Sequence, residues 1–136
     1  MRSIITIIAL SFSLLSFASP RIRVIDRYIY LGTLYMEDRD AAFEIRYTNT
    51  GDSPLYLVKV QSFCPCVKDT FSVEALSPGD TASIKVLYSP LHTGHESQGL
   101  RIYYNSDDPE MSETVFFYAD VAERREQEEE ESVKSN

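Results

Sequence analysis

Two cysteines and two histidines are the residues of this sequence best suited to chemistry. Cys64 and Cys66 stand in the stretch QSFCPCVKD, and His92 and His95 stand in the stretch SPLHTGHES. Two neighbouring thiolates suit Cu(I) or Zn(II), and imidazole nitrogens complete such ligand sets. These four residues are therefore candidate ligands of one soft-metal site. Both spacings are shorter than those of zinc fingers, so exposed loop histidines without a ligand are the alternative.

A disulfide is a second role for the cysteine pair. Residues two apart in a flat strand have Cα atoms about 6.6 Å apart, at the upper limit for a disulfide. Pro65 lies between Cys64 and Cys66 and removes a backbone donor, so it predicts a strand end or a bulge where the sulfurs approach each other. Such a bond closes almost no chain and therefore adds little loop-entropy stabilisation.

Several roles for the pair remain open at this point. They are a packed or oxidised pair without turnover, soft-metal binding, thiol–disulfide exchange, and a mixed disulfide with another protein. Exchange requires a thiolate, which Lys68 would favour and Asp69 would oppose.

Strands must position these residues, because apolar and polar residues alternate with a period of two along most of the chain. The alternating stretches are AFEIRYTN, TASIKVLYS, LRIYYN and TVFFYADV. Their expected inward residues are Phe43, Ile45, Tyr47, Ala82, Ile84, Val86, Tyr88, Leu100, Ile102, Tyr104, Val115, Phe117, Ala119 and Val121. With RVIDRYIYLG and a short TFSVEA, about seven strands separated by turns are expected, which is typical of an all-β, immunoglobulin-like β-sandwich.

This topology predicts that the candidate ligands meet. Strand direction reverses at each hairpin, so the loop after the third strand and the loop after the fifth lie at the same end of the sandwich. The first loop carries the two cysteines and the second carries the two histidines.

The two ends of the chain differ in character from the middle. Residues 1–18 combine Arg2, an apolar run and a small-residue cut site, which predicts a secretory signal peptide. Residues 19–121 form the predicted sandwich domain. Residues 122–136 are rich in glutamate without an apolar stripe and predict an acidic, disordered tail.

Composition and missing motifs exclude several function classes. The formal net charge of −8 disfavours a nucleic-acid or anionic-membrane surface. The sequence contains no nucleophile elbow and no phosphate-cradling glycine loop, so an enzyme is not expected. The acids of EDRD lack the twelve-residue calcium-loop pattern and favour a solvated turn over a calcium site. The nine tyrosines suit a binding surface, although most of them alternate inward and are expected in the core.

Four motifs together resemble a known family. They are YIYLGTL, YTNTGDSPLYLVKVQSFCPCV, LSPGDTASIKVLYSP and HTGHESQGLRIYYNSD. In order and spacing, roughly over residues 28–121, they are similar to the bacterial domain-of-unknown-function family 1573. The resemblance implies an Ig-like sandwich in an exported protein and lends no activity. Pro65 stands where the family usually has glycine between the cysteines, and Ala119 replaces a usual glycine of the last strand.

The expected function is therefore that of an exported, non-enzymatic Ig-like binding or scaffold module with a protein partner and no cofactor. The alternative is a thiol-redox or soft-metal protein that binds copper or zinc through the Cys-Pro-Cys pair. The expected location is periplasmic or extracellular, with no integral membrane span in the mature form.

Export gives the first prediction. The apolar run of about 15 residues would span only about 22 Å as a helix, short of a hydrocarbon core of roughly 30 Å. Protein recovered from the envelope or the medium is therefore expected to begin near Ser19, which intact-mass measurement checks. A mass that still includes Met1 would favour a membrane anchor instead.

Overall fold

The computed structural model describes residues 17–124. Residues 1–16 of the predicted signal peptide and residues 125–136 of the predicted tail lie outside the described residues. Within residues 17–124, no helix is long and apolar enough to cross a membrane.

The chain forms eight strands and one short 3-10 turn. The strands are β1 (Ile22–Val24), β2 (Tyr28–Tyr35), β3 (Ala41–Asn49), β4 (Leu57–Ser62), β5 (Val67–Thr70), β6 (Thr81–Tyr88), β7 (Gly94–Tyr104) and β8 (Ser112–Ala122), and the turn spans Met36–Asp38. Sheet A has the strand order β1-β3-β6-β5, and sheet B has the order β2-β8-β7-β4. All pairings are antiparallel except that of β2 with β8. The predicted all-β sandwich is confirmed.

The core lies between the inner faces of the two sheets. Strands β6, β7 and β8 bury alternate residues, as the period of two predicts. The buried residues on these strands are Ile84, Val86, Tyr88, Leu100, Ile102, Tyr104, Val115, Phe117, Ala119 and Val121. Phe117 of sheet B packs against Phe43 and Tyr88 of sheet A, with ring centroids 4.9 and 5.0 Å apart. These contacts couple the two sheets.

The predicted first strand is in fact two strands. The chain leaves sheet A after β1, passes Asp26 and enters sheet B as β2. The Asp26 carboxylate holds this crossing, because it accepts hydrogen bonds from the backbone N–H of Arg46 (3.0 Å) and from its guanidinium (2.8 and 2.9 Å). These hydrogen bonds lower the pKa of Asp26.

The predicted strand TFSVEA is misplaced, since the strand at this point, β5, ends at its first residue, Thr70. Pairing starts at Val67, opposite Tyr88 at the end of β6, directly after the cysteine turn. Val73 is exposed, so the alternation of apolar and polar residues in the rest of TFSVEA does not mark a strand with one buried face.

The start of the predicted tail is part of the fold. β8 ends at Ala122, one residue beyond the predicted domain boundary. The backbone N–H of Arg124 donates a hydrogen bond to the carboxylate of Glu37 (3.2 Å), and the Arg124 guanidinium forms an ion pair with Asp38 at 2.8 Å. Two of the acids of the EDRD stretch are thus bound to Arg124.

The strand phase gives the second prediction. Ile84 and Ile102 have no exposed surface, so replacing either by alanine should lower the free energy of unfolding by about 2–5 kcal/mol. Glu44 faces solvent, and Glu44→Gln should cost less than about 0.5 kcal/mol. Urea denaturation measures all three variants. Equal losses for the inward and outward positions would contradict this strand phase.

Candidate functional site

Cys64 and Cys66 are joined by a disulfide, with their Cα atoms 5.1 Å apart. This distance is shorter than the roughly 6.6 Å of a flat strand, because the chain turns at Pro65. Cys66 is buried, Cys64 is half-buried, and both pack against the core. Pro65 is exposed.

The disulfide turn connects the two sheets. Before it, the backbone N–H of Phe63 donates to the carbonyl of Gly99 in sheet B at 3.0 Å. After it, the carbonyl of Cys66 accepts from the N–H of Ser89, at the end of β6 in sheet A, at 2.9 Å. Within it, the N–H of Cys66 donates to the sulfur of Cys64 at 3.1 Å.

The predicted metal ligands are not assembled as a set. The two sulfurs are bonded to each other, and His95 lies within strand β7, opposite Asp120 in register, rather than in a loop. The Nδ1 of His95 lies 2.7 Å from the Oδ1 of Asp120 on β8, and His92 is exposed in its loop. Among residues 17–124, no group of three or more histidine, cysteine or acidic side chains could hold a metal ion.

Aromatic side chains that the sequence did not single out cover the outer face of sheet B. We call five of them the aromatic patch: Tyr28, Tyr30, Phe63, Phe116 and Tyr118. Phe116 and Tyr118 point outward because the alternate residues of β8 fill the core. In register, Tyr28 lies opposite Phe116 and Tyr30 lies opposite Tyr118. The patch therefore crosses the sheet from strand β2 to the end of β4.

A glycine on β7 leaves room for two rings of the patch to approach each other. Gly99 of β7 lies between Phe116 on one side and Phe63 on the other. A Cβ at Gly99 would lie 2.7 Å from the Phe63 ring, so this ring covers the glycine and approaches Phe116. At the other end, the rings of Tyr28 and Phe116 stack at 6.2 Å. The result is a row of aromatic rings that runs from Tyr28 on β2 over Phe116 on β8 to Phe63, which lies over β7.

The patch is exposed. The exposed fractions are 71% for Tyr28, 62% for Tyr30 and 51% for Phe63. Large exposed apolar groups that cluster on one face of a monomer mark interaction sites more often than scattered ones do.

Charged groups of both signs surround the patch. The guanidinium of Arg101 lies over the Phe63 ring, 5.7 Å from its centroid, in a cation–π contact. Arg27, beside Tyr28, forms an ion pair with Glu113. A polar rim of this kind accompanies the apolar centre of protein interfaces.

Asp120 links two further groups at the rim. It accepts a hydrogen bond from the hydroxyl of Tyr30 and contacts His95, whose ring stacks on Tyr118 at 6.5 Å. The Tyr30 hydroxyl and then His95 lower the pKa of Asp120, and the same carboxylate raises the pKa of Tyr30. These contacts fix the orientation of the Tyr30 ring.

The expectation that most tyrosines belong to the core is wrong. Three of the nine, Tyr47, Tyr88 and Tyr104, are buried, and the others are half-buried or exposed. Aromatic residues occupy both faces of the stretches LRIYYN and TVFFYADV. The inward-facing aromatic residues there did not exclude further aromatic residues on the outward face. The missed signal is the outward set of TVFFYADV, which contains Phe116 and Tyr118.

The open edges of both sheets are poorly suited to accept another strand. In sheet A the edge strands β1 and β5 have three and four residues. In sheet B the edge strands β2 and β4 each contain a register shift, at Tyr30/Thr33 and at Leu57/Lys59. Short and bulged edges oppose strand addition, and the exposed aromatic patch makes the outer face of sheet B the candidate binding surface.

The glycine in the patch gives the third prediction. A methyl group at Gly99 must displace the Phe63 ring, so Gly99→Ala should destabilise the protein by about 1 kcal/mol. In a Phe63→Ala background the same change should be neutral or stabilising, because alanine is favoured over glycine in a strand. Urea denaturation of the double-mutant cycle measures this coupling. If Gly99→Ala lowers the free energy of unfolding equally in both backgrounds, the Phe63 ring does not lie over Gly99.

Comparison with solved structures shows the fold in other proteins. A protein of unknown function from Porphyromonas gingivalis W83 has a TM-score of 0.64 at 18% identity, covering 81% of this chain and 51% of that one. The PapD-like domain 7 of human CEP192 has a TM-score of 0.59 at 12% identity, covering 77% and 87%. The Escherichia coli chaperone DraB has a TM-score of 0.55 at 8% identity, covering 75% and 56%.

These likenesses show the fold alone, and this chain spans about half of the Porphyromonas gingivalis protein. No curated protein matches the sequence. The model of the family described as "Protein of unknown function (DUF1573)" matches residues 22–121, from the first strand to the last. The resemblance seen in the four motifs is thereby confirmed, and this chain is a member of the DUF1573 family.

Proposed function

We propose that this protein is an exported, non-enzymatic binding module that holds a protein partner on the outer face of sheet B. The observation that carries the proposal is the aromatic patch, which exposes Tyr28, Tyr30 and Phe63 on one continuous face. Tyrosine and other aromatic residues are enriched at the energetic centres of protein interfaces, because they bury a large area at low entropic cost.

Charge favours a protein over other partners. The net charge of −8 repels nucleic acids and anionic membranes at long range. Near the patch, Arg101 and the pair of Arg27 with Glu113 supply both signs of charge. A mixed rim around an apolar centre suits a folded protein surface with its own apolar side chains.

Docking on the face is favoured over addition of a strand at an edge. The two edge strands of sheet B carry register shifts, while its two central strands, β7 and β8, pair without one. The chaperone DraB has the same kind of sandwich, which is compatible with a protein-binding role here.

The predicted signal peptide and the disulfide both support export. The predicted signal peptide directs the chain out of the cytoplasm, and disulfides persist in oxidising compartments such as the periplasm and the extracellular space. The Cys64–Cys66 disulfide supports this location. Within the described part of the chain, His95 pairs with Asp120 and Asp120 with Tyr30, an arrangement without a nucleophile hydrogen-bonded to the histidine. We therefore assign no catalytic step.

Binding by patch variants gives the fourth prediction. The partner is first captured from envelope or medium proteins on the immobilised mature protein, identified by mass spectrometry and purified. Its affinity is then measured by calorimetry for wild type and for Tyr28→Ser/Tyr30→Ser. Loss of two aromatic contacts should weaken binding at least about tenfold, or about 1.4 kcal/mol.

Leu87→Ser is the matched control. Leu87 is 43% exposed on the outer face of sheet A, on the opposite side of the sandwich. Its loss should change the affinity less than about twofold, while both variants keep the wild-type unfolding midpoint within a small margin. An unchanged affinity of the tyrosine variant, or an equal loss in Leu87→Ser, would contradict docking on sheet B.

A further inference from the structure

We infer that the Cys64–Cys66 disulfide is a redox control for the aromatic patch: the oxidised pair holds Phe63 in the patch, and reduction by an exported dithiol releases it. This inference rests on the proposed function, because it concerns the regulation of the same surface. The observation that carries it is the position of Phe63, directly before the disulfide turn and directly over Gly99.

The disulfide restrains a turn that strand geometry does not supply. Its Cα atoms are 5.1 Å apart, whereas a continued strand would separate them by about 6.6 Å. Without the covalent bond, the turn keeps the hydrogen bond from the N–H of Val67 to the carbonyl of Cys64, at 3.2 Å, and the φ restraint of Pro65. Reduction therefore widens the range of conformations between Phe63 and Val67.

Phe63 is the member of the patch that depends most on this turn. Phe116 and Tyr118 lie within β8, which is paired on both sides. Phe63 lies one residue beyond the end of β4, and its N–H bond to Gly99 is the last bond between these two strands. Loosening the turn should therefore free Phe63 first, uncovering Gly99 and removing one end of the aromatic row.

The effect is expected to stay local. The disulfide closes a loop around a single residue, so it contributes little to the entropy of the unfolded chain. Strand β4 keeps its pairing with β7, and β5 keeps its pairing with β6. A bond that restrains one turn and little else is suited to control rather than to holding the fold together.

A dithiol reduces the Cys64–Cys66 disulfide in two successive exchange steps. A thiolate of the dithiol attacks the half-buried sulfur of Cys64, forms a mixed disulfide and releases Cys66 as a thiolate, which takes up a proton. The second thiol of the dithiol, after losing its proton, attacks the dithiol sulfur that is bonded to Cys64 and releases Cys64 as a thiolate, which also takes up a proton. The protein gains two electrons and two protons, and the dithiol becomes a disulfide.

Amide hydrogen exchange tests the inference without a partner. In the mature protein, followed by NMR, reduction should speed exchange at the N–H groups of Phe63 and Ser89 by about tenfold or more. Exchange at Ile84 and Ile102 in the core strands should stay within about twofold. Cys64→Ser/Cys66→Ser should show the fast rates with and without reductant, which controls for effects of the reductant itself.

The outcomes separate this inference from the proposed function. An unchanged exchange rate at Phe63 on reduction would overturn the proposed control by the disulfide. Faster exchange throughout the core would overturn it as well, because the disulfide would then be necessary for the fold. Binding supplies the second readout, since the captured partner should bind the reduced protein and oxidised Phe63→Ala more weakly by a similar factor. If the Tyr28→Ser/Tyr30→Ser variant binds normally, the proposed function fails, while the exchange result still decides whether the disulfide controls Phe63.

Discussion

The packing of Phe117 between Phe43 and Tyr88 is the contact on which the surface of this protein depends. It joins the inner faces of the two sheets and fixes the phase of β8. Because side chains alternate along a strand, this phase sends the neighbours of Phe117 to the outer face. Phe116 and Tyr118 are outward for that reason, so the aromatic patch follows from the packing of the core.

Aromatic side chains on both faces of a strand serve different purposes. The inner set is buried and holds the sheets together, while the outer set leaves Tyr28 and Tyr30 largely in water. Exposed rings forgo the burial that makes aromatic residues stabilising. A partner that covers them would recover that free energy. The disulfide turn is where we propose that this surface is altered without disturbing the core.

The alternation of residues was sufficient to predict the sandwich and the inward residues of β6, β7 and β8. It could not separate β1 from β2, because the crossing between sheets depends on Asp26 reaching Arg46, a contact between positions distant in sequence. It also could not find the patch, since its members come from strands β2 and β8 and from the residue after β4, and only the register brings them together. Spacing also did not determine what the four predicted metal ligands contact, because the bond between the two sulfurs and the contact of His95 with Asp120 depend on side-chain positions in the folded chain.

Site-specific photo-crosslinking in the native compartment tests the central claim most directly. A photoreactive phenylalanine analogue at Tyr28 places the probe in the aromatic patch, and the same analogue at Leu87 places it at an exposed position on the opposite face. If the partner docks on sheet B, position 28 should give a discrete crosslinked protein adduct and position 87 should give none. An adduct from position 87 alone, or no adduct from position 28 in cells where the partner is captured by wild type, would contradict it.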